Sequence, residues 1–274
     1  YNAARSDFLA SFLGMTGDTI WDGIETVVCD LDGVVYLGEQ GVPGAGDALA
    51  ALAESGLQLL FVTNNSTKTP QDAADKIART SGFAADASSV VTSATVTAAR
   101  LGGLVATAYV VGAGSIDLAL AENGVEVVAD WRRAGAVVVG LDRDVSYERL
   151  SAATLAIRNG ALFYATNTDS TFPTPEGLLP GGGAIVAAVA TAAEQEPTVS
   201  GKPNQVMIDH IAAAARGEIL VIGDRLNTDI AMAATAGWRS AMVLSGVSAL
   251  EDVAGGPAPD LAVGSLPELV ALRP

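Results

Sequence analysis

Two carboxylates stand two residues apart where the apolar run Val27-Val28-Cys29 ends, in the order Asp30-Leu31-Asp32-Gly33. Such a run reads as a buried strand, and the break to Asp-x-Asp-Gly marks its carboxyl end. Because the strand stops here, the two side chains need not point the same way: one can attack while the other works from the side. Gly33 lets the chain turn without a Cβ clash. Three more polar groups occupy comparable positions. Thr63-Asn64-Asn65-Ser66 follows the apolar run Leu57 to Val62, Lys202 sits in Gly201-Lys202-Pro203 ahead of a helix, and Asp224 and Asp229 follow Glu218 to Ile222. In open α/β sheets, ligand sites lie beyond the carboxyl ends of strands. Taken singly, each group has an ordinary reading: a polar turn for Asp30 to Gly33, an N-cap loop for Thr63 to Ser66, a surface lysine for Lys202, a dipole-favoured helix-start carboxylate for Asp229. Their recurrence at strand ends and helix starts carries the weight.

The elements that must position these groups alternate. After the first strand, Gly41-Val42-Pro43-Gly44 is turn chemistry, Ala48, Leu49, Leu52 and Ala53 recur at helical spacing, and Gly56 closes that helix. Pro70 starts the next helix, Val90-Val91 forms a short strand, and Ser93 to Leu101 a helix. Strand followed by helix, repeated, predicts parallel βαβ units. After Gly102-Gly103 a second series begins. Ala108 to Val111, Val125 to Val128, Ala136 to Val139 and Leu162 to Ala165 are strand-like, and Ser115 to Glu122 and Tyr147 to Asn159 helix-like. Thr166 to Gly183 reads as a long functional loop, Ala184 to Ala193 as a helix. From residue 197 the first pattern resumes: a strand Glu218 to Ile222, a helix Asn227 to Ala236 closed by Gly237, and a strand Arg239 to Leu244. The middle series therefore reads as a domain inserted into the first.

Charge narrows the partners. With 31 acidic and 15 basic residues the chain carries −16, so nucleic acid and anionic membrane surfaces are excluded as expected partners. A small anion bound here would need a cation or metal in its site. One cysteine and one histidine rule out a disulfide framework, a Cys/His zinc cluster and a Cys-x-x-Cys motif. Cys29 reads as a small buried hydrophobe, and His210, within the periodic stretch Gln205 to Ala215, as a helix-face residue. No stretch is long and uniform enough for a membrane helix, and a reducing cytoplasm is the expected location. Residues 1–14, ahead of Met15, read as an N-terminal extension.

Asp30-Leu31-Asp32-Gly33, Thr63-Asn64-Asn65-Ser66, Gly201-Lys202-Pro203 and Gly223-Asp224-Arg225-Leu226-Asn227-Thr228-Asp229 together, in this order, resemble the four motifs of the haloacid dehalogenase superfamily. The wording Thr-Asn-Asn-Ser, the Gly-Lys-Pro and the position of the insert resemble its NagD-like, p-nitrophenyl phosphatase branch, with a C2-type cap. The resemblance spans about residues 20 to 248 and implies an α/β fold: a Rossmannoid parallel-sheet core, residues 1–103 and 197–274, with an inserted α/β cap, residues 104–196. It implies a Mg²⁺-dependent phosphatase acting on small phosphate monoesters of polyol, sugar or glycolate type, with p-nitrophenyl phosphate as surrogate. Carried over residue by residue, Asp30 is the nucleophile and Asp32 the general acid/base. Asp30, the main-chain carbonyl of Asp32, and Asp224 hold the metal, and Asp229 braces that site or Lys202. Lys202 offsets phosphoryl charge, and Thr63, Asn64 and Asn65 hold phosphate oxygens. In the cap, Asn167 and Asp169 of Thr166-Asn167-Thr168-Asp169-Ser170 reach toward the substrate. Phe172 stands in the region where pyridoxal-phosphate phosphatases of this branch carry a histidine, which speaks against that substrate. Asn227 replaces a frequent aspartate and leaves Asp224 and Asp229 in place. A small phosphorylated metabolite is the expected partner, with a homodimer through the cap left open.

Splitting phosphate monoester hydrolysis through an aspartyl phosphate turns one very slow step into two easier ones. Mg²⁺ would offset the repulsion between a carboxylate and a phosphate dianion and takes hard oxygen ligands. Rival readings are a phosphotransferase of the same fold and a non-hydrolytic phosphoacceptor or binding module, which would need neither Asp32 nor a cap. Dehalogenation is disfavoured, since it needs no Mg²⁺ and lacks an equivalent of Asp32. Val111-Gly112-Ala113-Gly114-Ser115 has two glycines of a dinucleotide fingerprint, but Asp117 stands at the third, so a tight strand–helix turn is the better account.

Overall fold

The computed structural model describes residues 20–174, 177–249, 252 and 257–273. The N-terminal extension expected at residues 1–14 lies outside them. The chain forms two compact α/β units. The first comprises residues up to Thr63, Pro70–Val91 and Ile211 onward; the second comprises Asn64–Thr69 and Thr92–His210.

The first unit is built on a six-stranded sheet. Its order is Leu261–Val263, Arg239–Val243, Glu218–Gly223, Ile24–Cys29, Gln58–Thr63, Val90–Thr92. The pairings of Ile24–Cys29 with both neighbours, and those running outward from Glu218–Gly223, are parallel. These strands are near-continuous apolar runs because helices cover both faces. Register decides what gathers at the edge. Cys29 lies opposite both Ile222 and Phe61, so the chain leaves the three central strands at one level. One residue further along come Asp30, Gly223 and Val62, then Asp224 and Thr63. Phe61, Leu49, Leu52 and Ile77 pack in the core beneath, all nearly inaccessible to solvent. Burying one such side chain contributes roughly 1.5–3 kcal/mol.

The second unit repeats the plan with a five-stranded parallel sheet. Its order is Thr198–Val199, Leu162–Ala165, Ala136–Val139, Thr107–Val111, Glu126–Val127. The period of two sorts its residues. Tyr109, Val111, Val137, Val139, Phe163 and Ala165 face one layer of helices, Tyr147–Arg158 and Gly182–Ala193. Ala108, Val110, Val138 and Tyr164 face the other, Ser93–Leu101 and Gly114–Glu122. Capping is explicit in two helices. Thr92 and Thr95 form a reciprocal capping box at the start of Ser93–Leu101, and the Ser146 hydroxyl accepts from Arg149 N–H at 3.2 Å. Val111, Val139 and Ala165 lie in register, and Val199 lies opposite Ala165, so these four strands also end level.

The structure departs from the sequence expectations at four places. Thr166 to Gly183 is not all loop: Thr171–Thr174 and Gly177–Pro180 pair as an antiparallel hairpin, and the helix begins at Gly182. The helix expected over Asn227 to Ala236 opens as a wide π-turn, Leu226–Ile230, and only then tightens to Ala231–Ala236. A small antiparallel flap, Tyr36–Leu37 against Gln40–Gly41, follows Gly33. A further strand and helix, Leu261–Val263 and Leu266–Ala271, close the first unit. Among the described residues no helix is long and apolar enough to cross a membrane.

Candidate active site

In the first unit Asp30 follows directly on its strand, buried, with its N–H donating to Ile222 O at 2.9 Å. Asp224 and Asp229 are also buried. Oxygens of these three carboxylates lie within 4.8 Å of one another. The surrounding backbone is cut to fit them. Val247 N–H donates to Asp224 Oδ2 at 2.7 Å, and Arg225 N–H to Asp229 Oδ2 at 3.2 Å. A Cβ at Gly33 or at Gly246 would overlap the Asp224 carboxylate, and one at Gly223 would overlap Asp229. Gly33 further needs its positive φ of 92°. The π-turn brings Asp229 back toward the end of its own strand, a use of wide turns common at functional sites.

Asp32 stands apart from this trio, with its side chain exposed. Its backbone bridges to Tyr36, and Gly33 N–H donates to Tyr36 O at 2.8 Å, so the flap fixes the turn that carries it. Tyr36 is buried, and burial, followed by the negative charges of Asp32 and Asp30, holds its hydroxyl far above the usual phenol range. Its ring lies under Lys76, whose ammonium is 3.8 Å from the centroid. Thr63, buried, closes the strand next to that of Asp30.

The second unit gathers the remaining groups. Asn64 is the centre of a buried network. Its Oδ1 accepts from Lys202 N–H at 2.8 Å and its Nδ2 donates to Lys202 O at 3.1 Å. Its own carbonyl accepts from Ser93 Oγ and Asn167 Nδ2, each at 2.7 Å. Asn167 Oδ1 in turn accepts from Asp169 N–H at 3.1 Å, and Asn64 Nδ2 lies 3.4 Å from both Asp169 oxygens. Register explains the meeting: Val199 and Ala165 are paired, so Lys202 and Asn167 emerge from neighbouring strand ends. Asn65 follows Asn64 in the chain. Its exposed side chain accepts from Thr67 N–H and Oγ in a local turn.

Three contributors were missed in the sequence. Ser245 Oγ donates to Gly33 O at 2.6 Å and Val247 supplies the Asp224 contact, both just past the strand Arg239–Val243. The rule that found Asp30 and Asp224, polar residues beyond a strand's carboxyl end, applied here as well. Ser93 lies at a helix start and carried no such signal.

The trio of hard carboxylate oxygens, with no nitrogen or sulfur donor among them, suits a magnesium- or calcium-like cation and not zinc. Residues 27–126 match the family model for haloacid dehalogenase-like hydrolases, and residues 199–269 a second, HAD-hydrolase-like model. An acid sugar phosphatase of Staphylococcus aureus is 38% identical over 229 residues, covering 82% of this chain and 88% of that protein. The chain belongs to the haloacid dehalogenase superfamily. Within it the NagD-like branch is the match. NagD from Escherichia coli K-12 superposes with a TM-score of 0.83 at 33% identity, over 90% of this chain and 98% of NagD. A glycerol phosphate phosphatase of Mycobacterium tuberculosis, solved with magnesium, gives 0.83 at 37% identity, over 91% of this chain and 77% of its own. This haloacid dehalogenase-like chain is an enzyme, a phosphatase, and Mg²⁺, the family's metal, fits its carboxylate trio.

Proposed function

We propose that this phosphatase hydrolyses small phosphate monoesters, of polyol, sugar or glycolate type, through a phosphorylated Asp30. The observation that carries the reading is the buried trio Asp30, Asp224 and Asp229 at the carboxyl edge of the first sheet. An Asp30 carboxylate oxygen attacks phosphorus while the bond from phosphorus to the ester oxygen breaks. Asp32 gives its proton to that departing oxygen. Water then attacks the aspartyl phosphate, Asp32 takes a proton from it, and inorganic phosphate leaves with Asp30 restored. Asp32 is exposed while Asp30 is buried, so Asp32 is the carboxyl that can exchange its proton with solvent. Mg²⁺ when bound, held by Asp30, Asp224 and the main-chain carbonyl of Asp32, offsets the repulsion between carboxylate and phosphate dianion. Asp229 holds Arg225 N–H and so shapes the loop that carries Asp224.

In this reading Lys202 neutralises phosphoryl charge, and its backbone is fixed for that task by Asn64 through two hydrogen bonds. Thr63 and the N–H groups of Asn64 and Asn65 receive phosphate oxygens. Residues 104–196 act as a cap that excludes water and selects the leaving group, with Asn167 and Asp169 nearest the substrate. The reading includes a homodimer through that segment, whose hairpin exposes Leu178 and Leu179; a solution mass measurement tests it. The test of the chemistry is phosphate release after exhaustive chelation and again after Mg²⁺ is restored, with acid-trapping of phosphorylated Asp30. Loss and recovery, with label on Asp30, is the expected result. Undiminished turnover without metal would overturn the mechanism, and a phosphoenzyme that never turns over would favour the phosphoacceptor reading.

A further inference from the structure

We propose that Lys76 is a positioning residue: by holding the ring of Tyr36 it fixes the flap and, through the flap, the turn that presents Asp32 to the departing oxygen. The proposal rests on the reading above in which Asp32 is the proton donor. Every residue it uses lies in the first unit. The turn is tied to Tyr36 at several points. Asp32 bridges to it, Gly33 N–H donates to its carbonyl at 2.8 Å, and Tyr36 N–H donates back to Leu31 O at 3.3 Å. A displacement of Tyr36 therefore displaces the backbone that carries Asp32. The flap itself is slight, two residues in each strand, Tyr36–Leu37 against Gln40–Gly41, and Leu37 is exposed. A ribbon that short does not hold its own position.

The helix Pro70–Ser81 supplies the support. Ala73, Ala74 and Ile77 seat it in the core. Beside Ile77, Lys76 places its ammonium 3.8 Å from the Tyr36 centroid and 3.8 Å from Glu39 Oε1. Arg79 meets the other Glu39 oxygen at 3.0 Å. The flap backbone lies against the last turn of the helix, since a Cβ on Gly41 would overlap Thr80 O. Burial ranks these contacts. The Glu39 side chain is 75% exposed, and ion pairs of that kind contribute little. Tyr36 is 3% exposed and the Lys76 side chain 20%, so the contact of ammonium with ring is largely shielded from water, where such contacts are strongest. Lys76 is thus the cation whose loss releases the ring, and Arg79 is not.

The experiment measures kcat/KM of the Mg²⁺-loaded enzyme on glycerol 3-phosphate, an alkyl ester whose leaving oxygen needs a proton, and on p-nitrophenyl phosphate, whose leaving oxygen does not. Lys76→Met keeps the stem over the ring and removes the charge. It should lose about tenfold on the alkyl ester and less than about threefold on p-nitrophenyl phosphate, with Lys76→Gln alike and circular dichroism unchanged. Lys76→Arg, whose guanidinium also lies over rings, should recover most of the loss. Glu39→Gln should stay within about twofold of the wild type on both esters. In an Asp32→Asn background Lys76→Met should show no further selective loss, because it acts through that carboxylate. A loss equal on both esters, no loss on either, a loss as large in Glu39→Gln, or a selective loss that persists without Asp32 overturns the proposal and leaves the phosphatase reading standing. Asp32→Asn alone falling equally on both esters overturns the reading of Asp32 as the donor, and the proposal with it.

Discussion

The two units place polar groups at the same position, the carboxyl edge of a parallel sheet, and make opposite use of it. In the first, three buried acids converge until their oxygens lie within 4.8 Å. In the second, the neutral side-chain amide of Asn64 is matched donor to acceptor with the Lys202 backbone, and the Asn64 main-chain carbonyl accepts from Ser93 and Asn167. Gathered like charge favours a cation; a satisfied amide network favours one conformation. Architecture is common to both, so the chemistry belongs to the residues past the strand ends and not to the fold.

Damage to the carboxylates of the first edge should therefore appear in rate, and loss of the Asn64 amide at the second should appear in stability. The largest effect is expected for Asp30→Asn, which should lower phosphate release by about 10⁴-fold or more while circular dichroism stays that of the wild type. Next is Asp32→Asn. Its loss should be about 10²–10⁴-fold on alkyl phosphates and smaller on p-nitrophenyl phosphate, whose leaving group departs without protonation. Rapid-quench kinetics on both substrates would measure it, and an equal loss in the phosphorylation step would count against Asp32 as the acid.

On the other edge, Asn64→Ala leaves the buried Lys202 N–H and C=O without the amide, and should cost roughly 2–4 kcal/mol in urea unfolding. A variant that unfolds like the wild type would erase the distinction between the two edges. Mg²⁺ gives the complementary measurement: at a hundredfold excess over its dissociation constant it should stabilise the protein by about 2.7 kcal/mol, raising the melting temperature by a few degrees. Gly246→Ala should abolish that rise by crowding Asp224. The smallest effect concerns His210, on the helix Gln205–Ala214. Burial lowers its pKa below the ordinary 6.5, so the folded chain resists a proton that the unfolded chain accepts. Its contribution is therefore present above 6.5 and is lost as pH falls through the depressed value. The stability–pH curve should flatten slightly on that side in His210→Gln.

Legibility in the sequence followed the range of the interactions. Asp30 and Asp224 each terminate an apolar run, and the parallel register of adjacent strands brings them within one residue of level, so local pattern was enough. The Asn64 network was not readable in that way, since its partners Ser93, Asn167 and Lys202 lie 29, 103 and 138 residues distant. Four residue types in motif order pointed to the right segments without revealing that the Asn64 amide grips Lys202 by its backbone. The hairpin Thr171–Pro180 carries a proline in each strand and little alternation, so it read as loop. A period of 3.6 could not distinguish the π-turn at Leu226–Ile230 from the helix it introduces.

The glycines at 33, 223 and 246 in the first unit, and at 201 in the second, where a Cβ would stand 2.6 Å from both Asn64 Oδ1 and Thr166 O, work by having no side chain. Their consequence is for mutational tolerance. A random library screened for activity should show these four positions as depleted as the aspartates themselves, although none has a functional group to offer. Among them, loss at 33, 223 and 246 should accompany well-folded protein with weakened Mg²⁺ binding, and loss at 201 should accompany poor folding. The pattern of failure, not its severity, would then draw the boundary between the edge that gathers charge and the edge built on the amide network.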